Sequence, residues 1–150
     1  MADALAGLTR DVFVRYWTSV HEGVYRATGG RLLNATLGMV TVELTTVGRR
    51  SGLPRTTMLT SPVQDGAVLV LVASNGGENR HPDWFYNLVA NPDVTIVTSG
   101  ERREMRGRVA EGDERERLWG RVAAKYPGYR IYQAKTARRL PVGVLEPRPA

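Results

Sequence analysis

The sequence predicts an α+β fold, a mainly antiparallel, barrel-like sheet with helices packed outside it. Three observations lead there. Strand-like segments follow one another as hairpins, without the strict strand–helix alternation that a doubly wound sheet requires. Glycine-containing turn signals separate them at short spacing. The chain has 150 residues, no cysteine and 42% hydrophobic content, enough for one core that buries roughly two-thirds of the unfolded surface without a disulfide or thiolate metal staple.

The elements follow in order. Residues 4–27 carry Val12, Phe13, Tyr16, Trp17, Val20, Val24 and Tyr25 at spacings of mainly three and four, an amphipathic helix ending near Gly29-Gly30. Met39–Thr46 alternates and is rich in β-branched residues, a strand. Gly48–Arg55 is a loop, because two glycines and a proline interrupt either period. Thr56–Val63 and Ala67–Ala73 read as a hairpin about Gln64-Asp65-Gly66, the second strand apolar throughout and expected to be central. Ser74–His81 is a loop. Pro82 opens a helix to about Ala90, which Asn91-Pro92 ends. Val94–Ser99 and Arg102–Ala110 make a second hairpin about Gly100. Asp113–Lys125 is a helix with Asp113 as N-cap. Pro127 breaks it, Gly128–Thr136 is a short helix or turn, Leu140–Leu145 is the last strand, and Glu146–Ala150 is a tail. The whole, 1–150, reads as a single domain, with residues 1–28 as its N-terminal helix.

Charge narrows the chemistry. Lys and Arg number 21 against 15 Asp and Glu, for a net charge of +6, and all the cations but Lys125 and Lys135 are arginine. Guanidinium is planar and permanently ionised, suited to gripping phosphate or carboxylate in paired hydrogen bonds. The start of the chain has no secretory pattern, and the longest apolar run, residues 67–73, is too short to span a bilayer. A cytoplasmic protein is expected, with the apolar start of the N-terminal helix a candidate contact for the inner face of the membrane. No Ser/His/Asp or Cys/His pattern stands out, and a metal site is not expected from two distant histidines. Glu111, Glu114 and Glu116 read as a solvated helix face, and the arginines of 102–117 as ordinary surface charge.

Three segments concentrate functional chemistry. The loop at 48–55 sets Arg49, Arg50 and Arg55 beside Gly48, Gly52 and Ser51, an arrangement for an anionic ligand approached closely by backbone. It lacks the Gly-Lys-Ser/Thr of a nucleotide-binding P-loop. Ser74-Asn75-Gly76-Gly77 directly follows the most apolar strand, a place where a planar ring can lie against backbone. His81–Leu88 puts Trp84 and Leu88 on one helical face with Asn87 beside them; His81 itself reads as a helix-start residue with no chemical role. Tyr126, Tyr129 and Tyr132 recur at spacing three and converge on one face if the segment is helical.

Together these motifs resemble the deazaflavin-dependent nitroreductase and F420H2-dependent quinone reductase family. Leu44–Arg55 resembles its arginine loop, Ala73–Gly77 and His81–Pro92 its next two signatures, and Tyr126–Gln133 its late tyrosine motif, over about residues 22–147. The resemblance implies a split β-barrel of the FMN-binding split-barrel type that binds the reduced deazaflavin coenzyme F420, whose phosphate and oligoglutamate tail suit the arginines. It implies that Arg49, Arg50, Ser51 and Arg55 hold the phosphate and tail region, and that Ser74, Asn75, Gly76 and the start of the Trp84 helix line the ring. Gly52, Met58, Ala73, Asp83 and Asn87 are further coenzyme-binding residues on this resemblance. Tyr126, Tyr129 and Tyr132 would wall the substrate, and Ser74 or one of the phenols would donate to the reduced product. Asn75 stands where many members carry lysine, Met58 where many carry proline, and Asp83 where a more apolar residue is common; loss of that lysine would weaken contact with the coenzyme's ionic part, and Asp83 would add repulsion near an anionic ligand. The implied activity is hydride transfer to a quinone, nitroaromatic or conjugated enone, by a monomer or homodimer. The alternatives are a flavin- or haem-binding barrel without that activity and a basic nucleic-acid-binding domain. The second fits poorly, because the aromatics do not interleave with the arginine loop.

Overall fold

The computed structural model describes residues 39–149. The expected N-terminal helix and its membrane contact lie outside them. Seven strands, β1 (Val40–Val47), β2 (Pro54–Ser61), β3 (Val63–Asp65), β4 (Val68–Val72), β5 (Asp93–Thr98), β6 (Glu101–Val109) and β7 (Val142–Pro147), form one sheet in the order β2-β1-β5-β6-β7-β4-β3, every pairing antiparallel. The helices are α1 (Asp83–Ala90), α2 (Gly112–Lys125) and α3 (Gly128–Ala134), with a 3-10 turn at Asn75–Gly77.

The expected strand 56–63 is divided. Pro62 has no N–H for a ladder and ends β2. Residues before it pair with β1, those after it with β4. β2 and β3 are therefore opposite edges of the sheet, yet one residue separates them in sequence. A seven-stranded sheet laid flat is about 29 Å wide, while Ser61 and Val63 stand about 7 Å apart at most. The sheet must curl until its edges meet, giving a half-barrel. Ser61 seals the meeting point: its buried hydroxyl lies within hydrogen-bond distance of the carbonyls of Val63 (3.0 Å) and Val70 (2.7 Å).

Curling also explains β4. It is not central in strand order, since only β3 lies beyond it, but both its faces are covered. Leu69 and Leu71 enter one core with Val42, Leu44, Ile96, Met105, Trp84 and Leu88. Val70 and Val72 enter a second with Val142, Val144, Leu118, Val122 and Tyr129, beneath α2 and α3.

Turn chemistry sets the remaining register. Ser99 and Gly100 both have positive φ, 50° and 75°, making the two-residue turn that joins Thr98 to its partner Glu101. Three boundaries move from the expected ones. The first hairpin turns at Gly66-Ala67, with Gln64 and Asp65 in β3. The N-cap of α2 is Glu111; Asp113 sits in the first turn, where its charge suits the helix dipole. The last strand begins at Val142 and takes in Glu146 and Pro147, because β6 is long enough to pair with them. Among the described residues no helix is long and apolar enough to cross a membrane.

α1 carries much of the site, and one glycine decides how closely it docks. A Cβ on Gly107 of β6 would stand 2.6 Å from Cδ1 and 2.8 Å from Cγ of Leu88, which is 2% exposed. We expect Gly107→Ala to destabilise the protein by about 1–3 kcal/mol through overpacking. In a urea melt, adding Leu88→Ala should cost less in that variant than in the natural sequence.

Candidate active site

The closed edges bring the β1–β2 loop beside the segment that follows β4. Between them lies an open cleft of about 890 Å³, lined by residues of 46–57 and 75–87. This is within the size range of small-molecule sites.

One wall is the arginine loop. Gly48 N–H donates to the Leu53 carbonyl and Gly52 N–H to the Gly48 carbonyl, both at 2.8 Å, which folds 48–53 into a compact turn. Gly52 has φ +70°, and a Cβ on Gly48 would lie 2.5 Å from the Ser51 hydroxyl, so both positions favour glycine. A buried amide latches the loop to α1: Asn87 Oδ1 accepts from the Arg49 backbone N–H (3.1 Å) and from its Nη1 (3.0 Å), and Asn87 Nδ2 donates to Thr46 Oγ1 (3.3 Å).

The three loop arginines therefore differ. Arg49 is committed within the protein, to Asn87, to Asp83 at 3.5 Å and to the face of Tyr86 at 5.0 Å. Arg50 is exposed and has no ion-pair partner among the described residues. Among the described residues the Arg55 side chain bonds only the Ser51 hydroxyl, at 3.4 Å. The second and third are the guanidinium groups available to an anion. Asp83 is paired with Arg80 at 2.8 Å as well as with Arg49, which offsets the repulsion expected of it.

The opposite wall is the turn after β4. Asn75 (φ 47°), Gly76 and Gly77 adopt left-handed backbone, and a Cβ on Gly77 would meet the Tyr132 carbonyl at 2.7 Å, so the turn packs directly on α3. Asn75 Nδ2 is used on Glu78 and the Arg80 carbonyl. Thr46, Arg49, Arg50, Ser51, Arg55, Asn75, Asp83, Trp84 and Asn87 all line the cleft. Gly52, Met58, Ala73, Ser74 and Gly76 do not. Gly52 is at the exposed loop tip, Met58 is on β2 opposite Glu43, and Ala73 is buried. Ser74 is half-buried, its hydroxyl without a partner among the described residues.

Nor do the three tyrosines line it. Tyr126 is the C-cap of α2, outside α3, and packs against the second core. Tyr129 is buried in that core, and Tyr132 is exposed, its ring edge-on to Tyr129 at 6.0 Å. Only the latter two share a helix and touch ring to ring. Burial pushes the Tyr129 phenol above its ordinary value, partly offset by a hydrogen bond with Thr60, so it keeps its proton at neutral pH.

Two residues were missed in the sequence. Arg138 reaches behind the 73–81 segment: Nε donates to the Glu78 carbonyl (2.7 Å), Nη2 to Ser74 (2.8 Å) and Nη1 to Ala73 (3.2 Å), and Nη1 also meets His81 Nδ1 at 2.7 Å. His81 lines the cleft and stacks obliquely on Phe85 and Tyr86. They are 57 residues apart, and no local pattern links them. Arg115, expected as surface charge, is also buried, donating to the Leu140 carbonyl at 2.9 Å over the face of Trp119.

Burial, and then the Arg138 charge, hold His81 below its ordinary value of 6.5. The unfolded chain takes up this proton more readily, so the stabilisation is complete above pH 6.5 and is lost as pH falls through the folded value. The melting temperature of His81→Asn should lack the part of the decline that the natural protein shows just below pH 6.5, ahead of carboxylate protonation.

The chain matches the family model described as F420H(2)-dependent quinone reductase over residues 17–147. It is 37% identical over 133 residues to an F420H(2)-dependent quinone reductase of Mycobacterium tuberculosis, covering 86% of this chain and 89% of the relative. A second, putative F420H(2)-dependent quinone reductase of that organism is 40% identical over 86 residues, covering 57% of this chain and 72% of the relative. Among solved structures, an F420-H2 dependent reductase named FDR-A has a TM-score of 0.63 at 37% identity, over 71% of this chain and 93% of that one. A structure described as a domain-swapped dimer has a TM-score of 0.64 at 37% identity, over 71% and 79%. The half-barrel fold is thus shared with solved F420-dependent relatives, and the chain belongs to the F420H2-dependent quinone reductase family, oxidoreductases that use reduced coenzyme F420.

Proposed function

We propose that this chain, as one deazaflavin-binding domain, reduces a quinone with reduced F420, and that the cleft between the arginine loop and the glycine turn holds the coenzyme. The observation that carries the reading is the state of the loop: Arg49 is spent on holding it to α1, while Arg50 and Arg55 have no carboxylate partner among the described residues. That donor set fits a ligand bearing phosphate and carboxylates. Arg50, Arg55 and Ser51 grip the anionic region, and Arg49, Gly52 and Met58 shape it. Ala73, Ser74, Asn75, Gly76, Asp83, Trp84 and Asn87 frame the ring.

When bound, reduced F420 supplies a hydride as a two-electron unit. The protein's part is to hold the acceptor face to face with the ring and to provide the proton that completes a hydroquinone. Tyr126, Tyr129 and Tyr132 form the acceptor side, beyond the glycine turn on which α3 packs. Ser74, whose hydroxyl has no partner among the described residues, and the tyrosine hydroxyls, of which Tyr129 retains its proton, are the candidates for that donor. Nitroaromatics and conjugated enones are further acceptors of the same two-electron chemistry.

Titration of F420 fluorescence should show Arg50→Ala and Arg55→Ala each weakening binding about tenfold, the loss of one charge-assisted contact at an exposed site. Arg117→Ala, on the exposed face of α2, should leave binding unchanged; equal losses in all three would mean that general charge binds the coenzyme. For turnover, Ser74→Ala, Tyr129→Phe and Tyr132→Phe are compared in quinone reduction. The residue that supplies the proton should lose roughly a hundredfold in kcat with F420 affinity retained; unchanged rates in all three would remove these groups from the reaction.

A further inference from the structure

The proton on His81 is placed by its neighbour. A guanidinium carries only donors, so the 2.7 Å contact from Arg138 Nη1 requires Nδ1 of His81 to be the unprotonated acceptor. The ring proton is then on Nε2. Arg138 itself is held by three backbone carbonyls, those of Ala73, Ser74 and Glu78. It has little freedom to turn away, and the imidazole is flanked by Phe85 and Tyr86 at 4.9 and 5.5 Å. The depressed proton affinity of His81 agrees with this neutral form.

Nε2–H is left over. Among the described residues it has no hydrogen-bond partner, although His81 is half-buried and lines the cleft. Nearby charge does not use it: Arg80 pairs with Asp83, and Asp83 also serves Arg49. A fixed donor facing no internal acceptor, in a cleft otherwise furnished with arginine, matches a ligand oxygen.

We propose that His81 is a coenzyme-binding residue that donates its Nε2–H to an oxygen of bound F420, and that Arg138 is the positioning residue that fixes its tautomer. The inference rests on the F420 reading and deepens it. It also gives Arg138 two tasks: shaping the ring-facing turn and orienting the donor beside it.

Two isosteres separate the roles of the two ring nitrogens of His81. The amide oxygen of asparagine can take the place of Nδ1 and accept from Arg138, but His81→Asn has no group at Nε2. His81→Gln reaches the Nε2 position with an amide N–H. We expect His81→Asn to weaken F420 binding roughly three- to tenfold in the fluorescence titration, the loss of one uncharged hydrogen bond. His81→Gln should recover most of that affinity. In the ligand-free protein, 15N NMR of labelled histidine should show His81 protonated at Nε2 alone, and Arg138→Gln should change it to a mixture of tautomers.

Natural affinity in His81→Asn would overturn the proposal. So would equal losses in the asparagine and glutamine variants accompanied by lower melting temperatures, which would make the residue structural. A proton found on Nδ1 would overturn the part assigned to Arg138. Failure of the natural chain to bind F420 would instead overturn the underlying coenzyme reading, a result distinguishable because it appears before any substitution.

Discussion

The molecule turns on a distance constraint at Pro62. Ser61 ends one edge strand and Val63 begins the other, so two edges that a flat sheet would hold about 29 Å apart are tied within the reach of three residues. Closure follows, and so does the site. β2 starts where the arginine loop ends, β4 ends where the glycine turn begins, and bringing β2 against β4 brings those two segments together. The same curling covers both faces of β4, which is why an edge-proximal strand has the composition of a central one.

On this frame the arginines divide by the partners they find. Arg108 is paired with Glu114 and Glu146, Arg106 with Asp93, Arg121 with Asp65 and Arg148 with Glu104. Such exposed pairs contribute little to stability, being screened by solvent, but they occupy charge that a ligand would otherwise meet. Arg115 and Arg138 instead donate to backbone carbonyls, the first to Leu140 and the second to Ala73, Ser74 and Glu78. Among the described residues the arginines discussed are thereby sorted into surface pairs, buried braces, a latch at Arg49 and two guanidinium groups at the cleft with no carboxylate partner. The proposed grip on an anion belongs to those two and to where the Asn87 amide holds their loop.

Much of the fold was legible locally. Alternation marked β1, the turn at Gly100 and the Pro82 and Asn91 signals lay where expected, and the three late elements were identified in order. The failures share a cause. The strand through Pro62 was read as continuous because β-branched residues flank it on both sides, and periodicity carries no information about which neighbour a strand pairs with. The last strand extends to Pro147 because β6 supplies partners, a fact external to the segment. His81 was passed over for the same reason: its chemistry is set by Arg138, 57 residues away.

The sequence alone determined the class of fold, the cationic glycine loop, the ring-sized turn and the family resemblance, because each is written in residues close together along the chain. Tertiary structure decided which of the three loop arginines is the latch and which face the cleft with no carboxylate among the described residues, which tyrosines touch, and which nitrogen of His81 accepts from Arg138. Those outcomes depend on side chains that meet only after the sheet has closed. Hydrogen-bond partners at separations of 38, 41 and 57 residues leave no periodic trace, since directional bonds are selected by the final geometry and not by local propensity.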